Sequence, residues 1–449
     1  MPEAQGTGSK KFGVGFILFS VLFTAWLVPP LYRGIQGICP MRPGLIKEAG
    51  AVPGFARKYG LSCSQCHTAW PLLNDYGRQF KLNGYVREPG SKEGVLEGSG
   101  GYWTEKIFPW GVVARSRPYD KNTTVDREFR FQPIQDADFF VAGGDAAKHI
   151  SWFGEVDANN TTDTAFSVNM ADIQAGYHPS QYLNIIAARR GFFVMDPYQN
   201  ISNFGSPTIT GRAIAGGQTD QGNLSGNVMD QTTQTMLAFG EVDKEGLGAL
   251  YYAAGMSAGN ANDTGTSAKA GNLRLAYDTL KGLEIGAFGS SGREYNGLVD
   301  QNGNQDRVKF TKYGLDYTLE AKGFVSRGAC LVSNEKDEQL ANSTVEVDEN
   351  GNPVIKSTTK AAYAELLYVY KRQGDTFPFL VPLVRENWYT TFNGKRSFNY
   401  VTAQLAHYFA PNMKGFVEWS GDTKQDLQGV NNVSSAKSSR WSLQFELGF

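Results

Sequence analysis

The chain ends Trp441-Ser442-Leu443-Gln444-Phe445-Glu446-Leu447-Gly448-Phe449. Large apolar residues alternate with small or polar ones over the whole stretch. A period of two, with one apolar and one polar face, is the mark of a strand half buried in an apolar medium. An edge strand of a soluble sandwich with this pattern would leave a long apolar face in need of a second sheet.

Reading backward from that strand, the pattern recurs at Phe416 to Thr423, Ser397 to Phe409, Phe377 to Trp388 and Ala361 to Tyr370. It continues through Val308 to Leu319, Thr233 to Val242 and Thr164 to Tyr177, as far as Pro109 to Arg115. About sixteen such segments are found, an even number within the range of transmembrane barrels. Every second link is short: Gly143-Gly144-Asp145, His178-Pro179-Ser180, Asp243 to Gly246, Lys281-Gly282, Ala321-Lys322, Gly374-Asp375 and Pro411-Asn412. The links between them are long and polar, such as Phe193 to Gln231, Gly292 to Asp306, Asn334 to Ser357 and Thr423 to Ser439. Short periplasmic turns and long outer loops are how outer-membrane barrels are arranged. The fold expected is therefore all-β, a transmembrane antiparallel β-barrel over residues 103–449.

Composition agrees. The 449 residues include 52 Gly, 21 Tyr and 28 Phe with few Cys, His or Met, which suits many strands and turns. A formal net charge of −1 gives no basis for nucleic acid binding. Lys10 and Lys11 precede an apolar run from Gly13 to Val28, closed by Pro29-Pro30, the layout of an export signal. Residues 1–51 are read as that signal and a linker. The same run approaches the length of a membrane anchor.

The four cysteines are Cys39, Cys63, Cys66 and Cys330, too few for a disulfide scaffold. Cys63-Ser64-Gln65-Cys66-His67 is a C-x-x-C-H sequence, the attachment signature of one covalent c-type haem. Two thiols at that spacing reach both haem vinyl groups, and the adjacent imidazole reaches the iron. A redox dithiol or half a zinc site leaves His67 without a role. After the motif, Pro71 at a first helical turn, then Leu72, Leu73, Tyr76 and Phe80, predict a helix stopped by Asn83-Gly84. Residues 52–102 thus form a small α-helical haem segment, too short to bury the cofactor alone, and expected as a lumenal or periplasmic plug of the barrel. The remaining histidines all fall beside short turns. His149 and His178 share strand faces with polar residues and are candidate distal ligands, as is Met170, near which a bulge blurs the parity. His407 falls on the apolar face and reads as an interfacial residue. Arg189-Arg190 suits the lumen wall, haem propionates or solvent, with solvent as the default reading, and Cys330 reads as a small packing residue.

Phe55-Ala56-Arg57-Lys58-Tyr59-Gly60, the haem motif, Pro71-Leu72-Leu73-Asn74 and Tyr76-Gly77-Arg78-Gln79-Phe80-Lys81 together resemble the fused cytochrome–porins of bacterial outer membranes. The best-known members of that family act in iron oxidation. The resemblance implies that Cys63 and Cys66 attach haem c and that His67 is its proximal ligand. Tyr76 stands where phenylalanine is common, and Lys58-Tyr59 where the iron-oxidising branch has Gln-Thr, which leaves the electron donor open.

The function expected is an outer-membrane conduit between an extracellular redox substrate such as ferrous iron and a periplasmic c-type cytochrome or other soluble carrier. Flow outward to an extracellular acceptor uses the same parts. A haem peroxidase-like enzyme, a pore with a structural haem plug, and an inner-membrane-anchored periplasmic β-domain are the competing classes.

Overall fold

The computed structural model describes residues 54–59, 61–87, 110–123, 129–145, 149–162, 165–202, 207–209, 234–258, 269–279, 282–299, 305–337, 356–391, 396–427 and 439–448. The export signal expected over residues 1–51, with Cys39, lies outside them, as do the greater parts of the long polar links.

Sixteen antiparallel strands close into one barrel. Numbered after two short strands that precede the barrel, β1 (His67–Ala69) and β2 (Leu72–Leu73), they are β3 (Trp110–Asn122), β4 (Arg130–Asp145), β5 (Ile150–Thr162), β6 (Ala165–Ser180), β7 (Leu183–Arg189), β8 (Gln234–Lys244), β9 (Gly248–Ala258) and β10 (Lys269–Asp278). The ring continues with β11 (Leu283–Val299), β12 (Gln305–Ala321), β13 (Phe324–Asp337), β14 (Lys356–Tyr368), β15 (Leu380–Thr391), β16 (Arg396–Ala410), β17 (Met413–Leu427) and β18 (Ser439–Gly448). The terminal strand closes the ring on β3, with Leu443 opposite Tyr119 and Leu447 opposite Ala114.

Alternation decides the two faces. Met236, Met256, Leu273, Leu275, Ile285 and Leu315 stand outward and exposed, while the residues between them are buried toward the lumen. An apolar exterior over a closed ladder is what a bilayer requires, since no backbone group is left unpaired in hydrocarbon. Each of the expected segments contributes one strand, and most strands run longer than their alternating cores. The link expected from Gly292 to Asp306 is largely strand: β11 continues to Val299 and β12 begins at Gln305. The link around Gly374 is longer than a tight turn and runs from Val369 to Phe379, bridged by the pairing of Tyr370 with Leu380.

The stretch after β7 departs furthest from expectation. The pattern of links predicts an outer polar loop from Phe193 to Gln231, yet the described beginning of this stretch folds into the barrel. Phe193 and Ile201 are buried to 0% and 1% exposure among lumenal side chains of the wall. A buried ion set holds it there. Arg274 on β10 bonds Asp316 (Nη1–Oδ2 2.6 Å), Glu284 (3.1 Å) and Asp196 of the link (3.2 Å). Asn200 of the link donates to Glu284 and Asp316 at 2.9 and 3.0 Å, and its carbonyl accepts from the Tyr363 hydroxyl at 2.7 Å.

The outward face is tested by Leu273→Arg, near the middle of β10. A cationic side chain there should cost about 2–4 kcal/mol in equilibrium unfolding from lipid vesicles. A cost near zero would mean that this face does not contact hydrocarbon.

Candidate functional site

Before the barrel, the chain forms α1 (Gly54–Tyr59), α2 (Cys63–Cys66), a small pairing of β1 (His67–Ala69) with β2 (Leu72–Leu73), and α3 (Asp75–Leu82). The expected helix thus begins at Asp75 rather than Pro71, because Asn74 caps it. Asn74 Oδ1 accepts from the Gly77 amide at 3.0 Å, satisfying a first-turn donor. The Asn74 side-chain amide donates back to the carbonyls of Ser64 (3.3 Å) and Gln65 (3.1 Å), and its backbone amide donates to the Cys66 carbonyl at 3.0 Å. One asparagine therefore clamps the C-x-x-C turn onto α3. The approach is close: a Cβ on Gly77 would stand 2.1 Å from the Cys66 carbonyl oxygen.

Cys63 and Cys66 are free thiols, half buried, and burial pushes both up to about 11. They are thus protonated at neutral pH. His67 lies 3.0 Å from the Pro71 carbonyl through Nδ1. A carbonyl only accepts, so Nδ1 carries the proton, and burial pushes the imidazole down to about 4 and keeps it neutral. In that tautomer Nε2 holds a lone pair, and the Nδ1–H bond fixes the ring, which is how metal-binding histidines are prepared.

His67 lines a cavity of about 520 Å³ between this segment and the barrel wall. Ser64, Thr68 and Asn74 share the segment side; the wall contributes Glu320, Lys322, Phe324, Val325, Val369 and Lys371. Phe324, Val325 and Val369 give that lining apolar surface, Lys322 and Lys371 give it two cations, and neither Cys63 nor Cys66 is among the lining residues. Glu320 is engaged by Thr68 Oγ1 at 3.2 Å and by Arg78 at 3.4 Å.

The segment docks at the short-turn end of the lumen. Lys414 Nζ donates to the Trp70 carbonyl at 2.9 Å, and Gln79 donates to Glu241 at 2.8 Å. Lys81, half-buried, donates to the carbonyls of Val194 (3.3 Å) and Asp196 (3.2 Å) on the inward link. Ala69 and Leu72 pack among buried wall residues such as Leu367 and Leu383. Segment and link therefore meet inside the barrel. The apolar run Phe192-Phe193-Val194-Met195 is the sequence signal for that inward turn.

The candidate distal ligands fare differently. Met170 is 51% exposed on the outer face. The bulge lies at Ala171, because Asp172 pairs with Glu155 while Met170 pairs with Val156, so the parity reverses there and Met170 turns away from the lumen. His178 is lumenal as expected, but both ring nitrogens are held: Nε2 lies 2.7 Å from Ser151 Oγ and Nδ1 2.9 Å from Asn184 Oδ1. It serves as a seat for the segment, since a Cβ on Gly84 would come within 2.6 Å of its Nε2. His149 is a turn residue with φ 57, whose carbonyl accepts from the His178 amide. His407 stacks on Phe409 and meets Phe379 edge to face, on the outward side, the environment of an interfacial aromatic belt. Arg190, read as solvated, is instead paired with Asp172 at 3.2 Å and lies over the Phe153 ring. Cys330 is exposed rather than packed. Among the described residues no cluster of three or more His, Cys, Asp or Glu is disposed to hold a bare metal ion.

No protein-family model and no curated protein matches the chain. Solved structures do. OmpT of Vibrio cholerae (in-vitro folded) is 10% identical with TM-score 0.52, covering 76% of this chain and 97% of its own. An anion-selective porin from Comamonas acidovorans is 10% identical with TM-score 0.52, covering 76% and 98%. Salmonella typhi OmpF, in complex with daunomycin, is 16% identical with TM-score 0.50, covering 76% and 98%. At these identities the likeness is one of fold: a porin-like barrel.

Gly84 and Gly374 both have positive φ, but only Gly84 meets a neighbour. Gly374→Ala should cost about 1–2 kcal/mol from backbone strain alone. Gly84→Ala should cost more and expose residues 54–87 to limited proteolysis. Equal effects from the two would show that the segment does not seat on His178.

Proposed function

We propose that this protein is an outer-membrane cytochrome–porin that carries one covalent haem c on Cys63, Cys66 and His67. In this reading it passes electrons between an extracellular donor, ferrous iron in the first instance, and a periplasmic c-type cytochrome or other soluble carrier. The observation that carries the reading is the His67 tautomer. An imidazole fixed through Nδ1 in the same short turn as two free thiols is what haem c attachment and axial ligation need. The adjoining cavity, which His67 lines, supports it, because the segment alone is too small to cover a haem and the barrel wall would supply part of the remaining cover. Phe324, Val325 and Val369 would cover the apolar macrocycle; Lys322 and Lys371 would meet its propionates. Haem supplies a one-electron couple, and the residues around it set the potential through axial ligation, hydrogen bonding and burial.

The chain's own residues then have definite tasks. Asn74 and Gly77 hold the attachment turn against α3, Pro71 fixes the His67 ring, and Lys414, Gln79 and Lys81 tie the segment to wall and link. The apolar exterior and the porin-like fold support residence in the outer membrane, with the segment on the periplasmic side. Outward flow to an extracellular acceptor is the same arrangement run in reverse.

A specific observation favours a second reading, a haem peroxidase-like enzyme. The described cavity lining contains no methionine and no second histidine, while Glu320 provides a carboxylate. Both readings are tested by haem staining of denatured outer membranes followed by anaerobic redox titration with ferrous iron. The conduit reading expects stain that Cys63→Ala with Cys66→Ala abolishes, a low-spin spectrum, and rapid reduction by iron. A high-spin haem that iron leaves oxidised and peroxide attacks would move the enzyme to first place. Absence of stain would overturn both.

A further inference from the structure

On the outward face of β5 to β9, two adjoining rows of side chains form a trough. Cross-strand pairing sets one row as Trp152, Ala175, Ala187, Met236 and Met256, and the other as Gly154, Ile173, Arg189 and Gln234. Ile173, Met236 and Met256 are half exposed or more, while Ile186, between Ile185 and Ala187, is buried, so both rows face away from the lumen. Small residues lie between large ones. Ala175 and Ala187 make the floor, with Trp152 on one side and Met236 and Met256 on the other. Together with Arg189 they line an open groove of about 1010 Å³.

Arg189 is the residue that an apolar exterior does not explain. It ends β7, is exposed, and shares the outward face of Ile185 and Ala187. Its Nη1 donates to the Met170 carbonyl at 2.6 Å. Met170 lies three residues before Ile173, the cross-strand neighbour of Arg189, on a strand that descends to the short turn after Ser180. The guanidinium therefore reaches toward the long-loop side, as a cation on a lipid-facing wall does. Among the described residues no carboxylate pairs with it, whereas Arg190 beside it faces the lumen and is paired with Asp172 at 3.2 Å. A lipid-facing arginine is destabilising unless an anion or the polar interface meets it. The bond to Met170 leaves most of its N–H donors for an oxyanion, and its planar fork suits a phosphate.

We propose that this groove binds one anionic, phosphate-bearing lipid of the leaflet on the long-loop side, with the phosphate on Arg189 and an acyl chain along Ala187 and Ala175. The cation stands at the outer end of β7 and the apolar floor lies on its short-turn side, which is the order of head and tail in that leaflet. A trough suits a flexible alkyl chain, whereas the convex wall of a second barrel would leave it empty. The site does not depend on the haem reading.

The test uses the full-length protein in detergent, stripped of lipid and titrated with dioleoylphosphatidylglycerol or dioleoylphosphatidylcholine, with retention read by native mass spectrometry. The wild type should retain one phosphatidylglycerol in preference to phosphatidylcholine. Arg189→Gln should weaken phosphatidylglycerol binding about tenfold, the size of one charge-assisted hydrogen bond, and leave phosphatidylcholine binding unchanged. Ala187→Phe fills the floor and should weaken both. Neither variant places a new charge on the lipid-facing wall, and the shifted migration of the unheated barrel on a gel confirms that each is folded. Equal retention of the two lipids by the wild type would overturn the proposal, as would a preference that Arg189→Gln leaves intact. A dimer that Arg189→Gln dissociates, with no lipid preference, would assign the groove to a second copy of the chain instead.

Discussion

Everything in this molecule follows from one constraint: backbone amides and carbonyls facing hydrocarbon must find partners in the same chain. A sheet satisfies it only by closing, and here closure falls to the last strand, whose residues pair with the first strand of the ring. Closure fixes the side-chain period at two for every strand. One set of positions goes to lipid and stays apolar, and the other set is turned into an enclosed space. That space receives the charges that the exterior excludes.

A ring of sixteen strands encloses more volume than its own side chains fill. The chain fills part of it from two directions. The link after β7 enters and is fixed by Arg274, which gathers carboxylates from two wall strands and one from the link. Residues 54–87 enter at the opposite, short-turn end, and Lys81 joins the two by donating to two carbonyls of the link. Buried ion sets of this kind add little net stability, but losing one member leaves an uncompensated charge, so they specify one arrangement. The His67 segment has too little apolar surface to form a core alone. Its cavity exists because Val325, Val369 and the turn at Lys322 supply the far wall.

What was legible in the sequence divides along physical lines. Strand number and parity were legible because a lipid-facing residue leaves an unambiguous period-two signal, as in Trp441 to Phe449. The C-x-x-C-H turn was legible because its geometry is local. Met170 was misplaced because one inserted residue, Ala171, reverses parity without changing composition. The inward link was missed because a loop entering a lumen keeps the polar, glycine-bearing character of a loop, and only Phe192 to Met195 betrays it. Strand ends such as Glu294 to Val299 were missed because strands that rise beyond the bilayer lose the apolar half of their alternation. His178 was correctly assigned to the lumen, yet its engagement by Ser151 and Asn184 depends on register between three strands, which one sequence does not display.

The central proposal is that electrons cross this barrel through a single haem held inside a lumen that the segment and the link partly occupy. The most direct measurement places the purified protein in vesicles that enclose an oxidised soluble cytochrome c and a small fluorescent solute, with ferrous iron supplied outside. The account predicts reduction of the enclosed cytochrome while the solute is retained, and no reduction with Cys63→Ala and Cys66→Ala together. Solute escape with the enclosed cytochrome still oxidised would contradict it, and would make the barrel an ordinary diffusion pore.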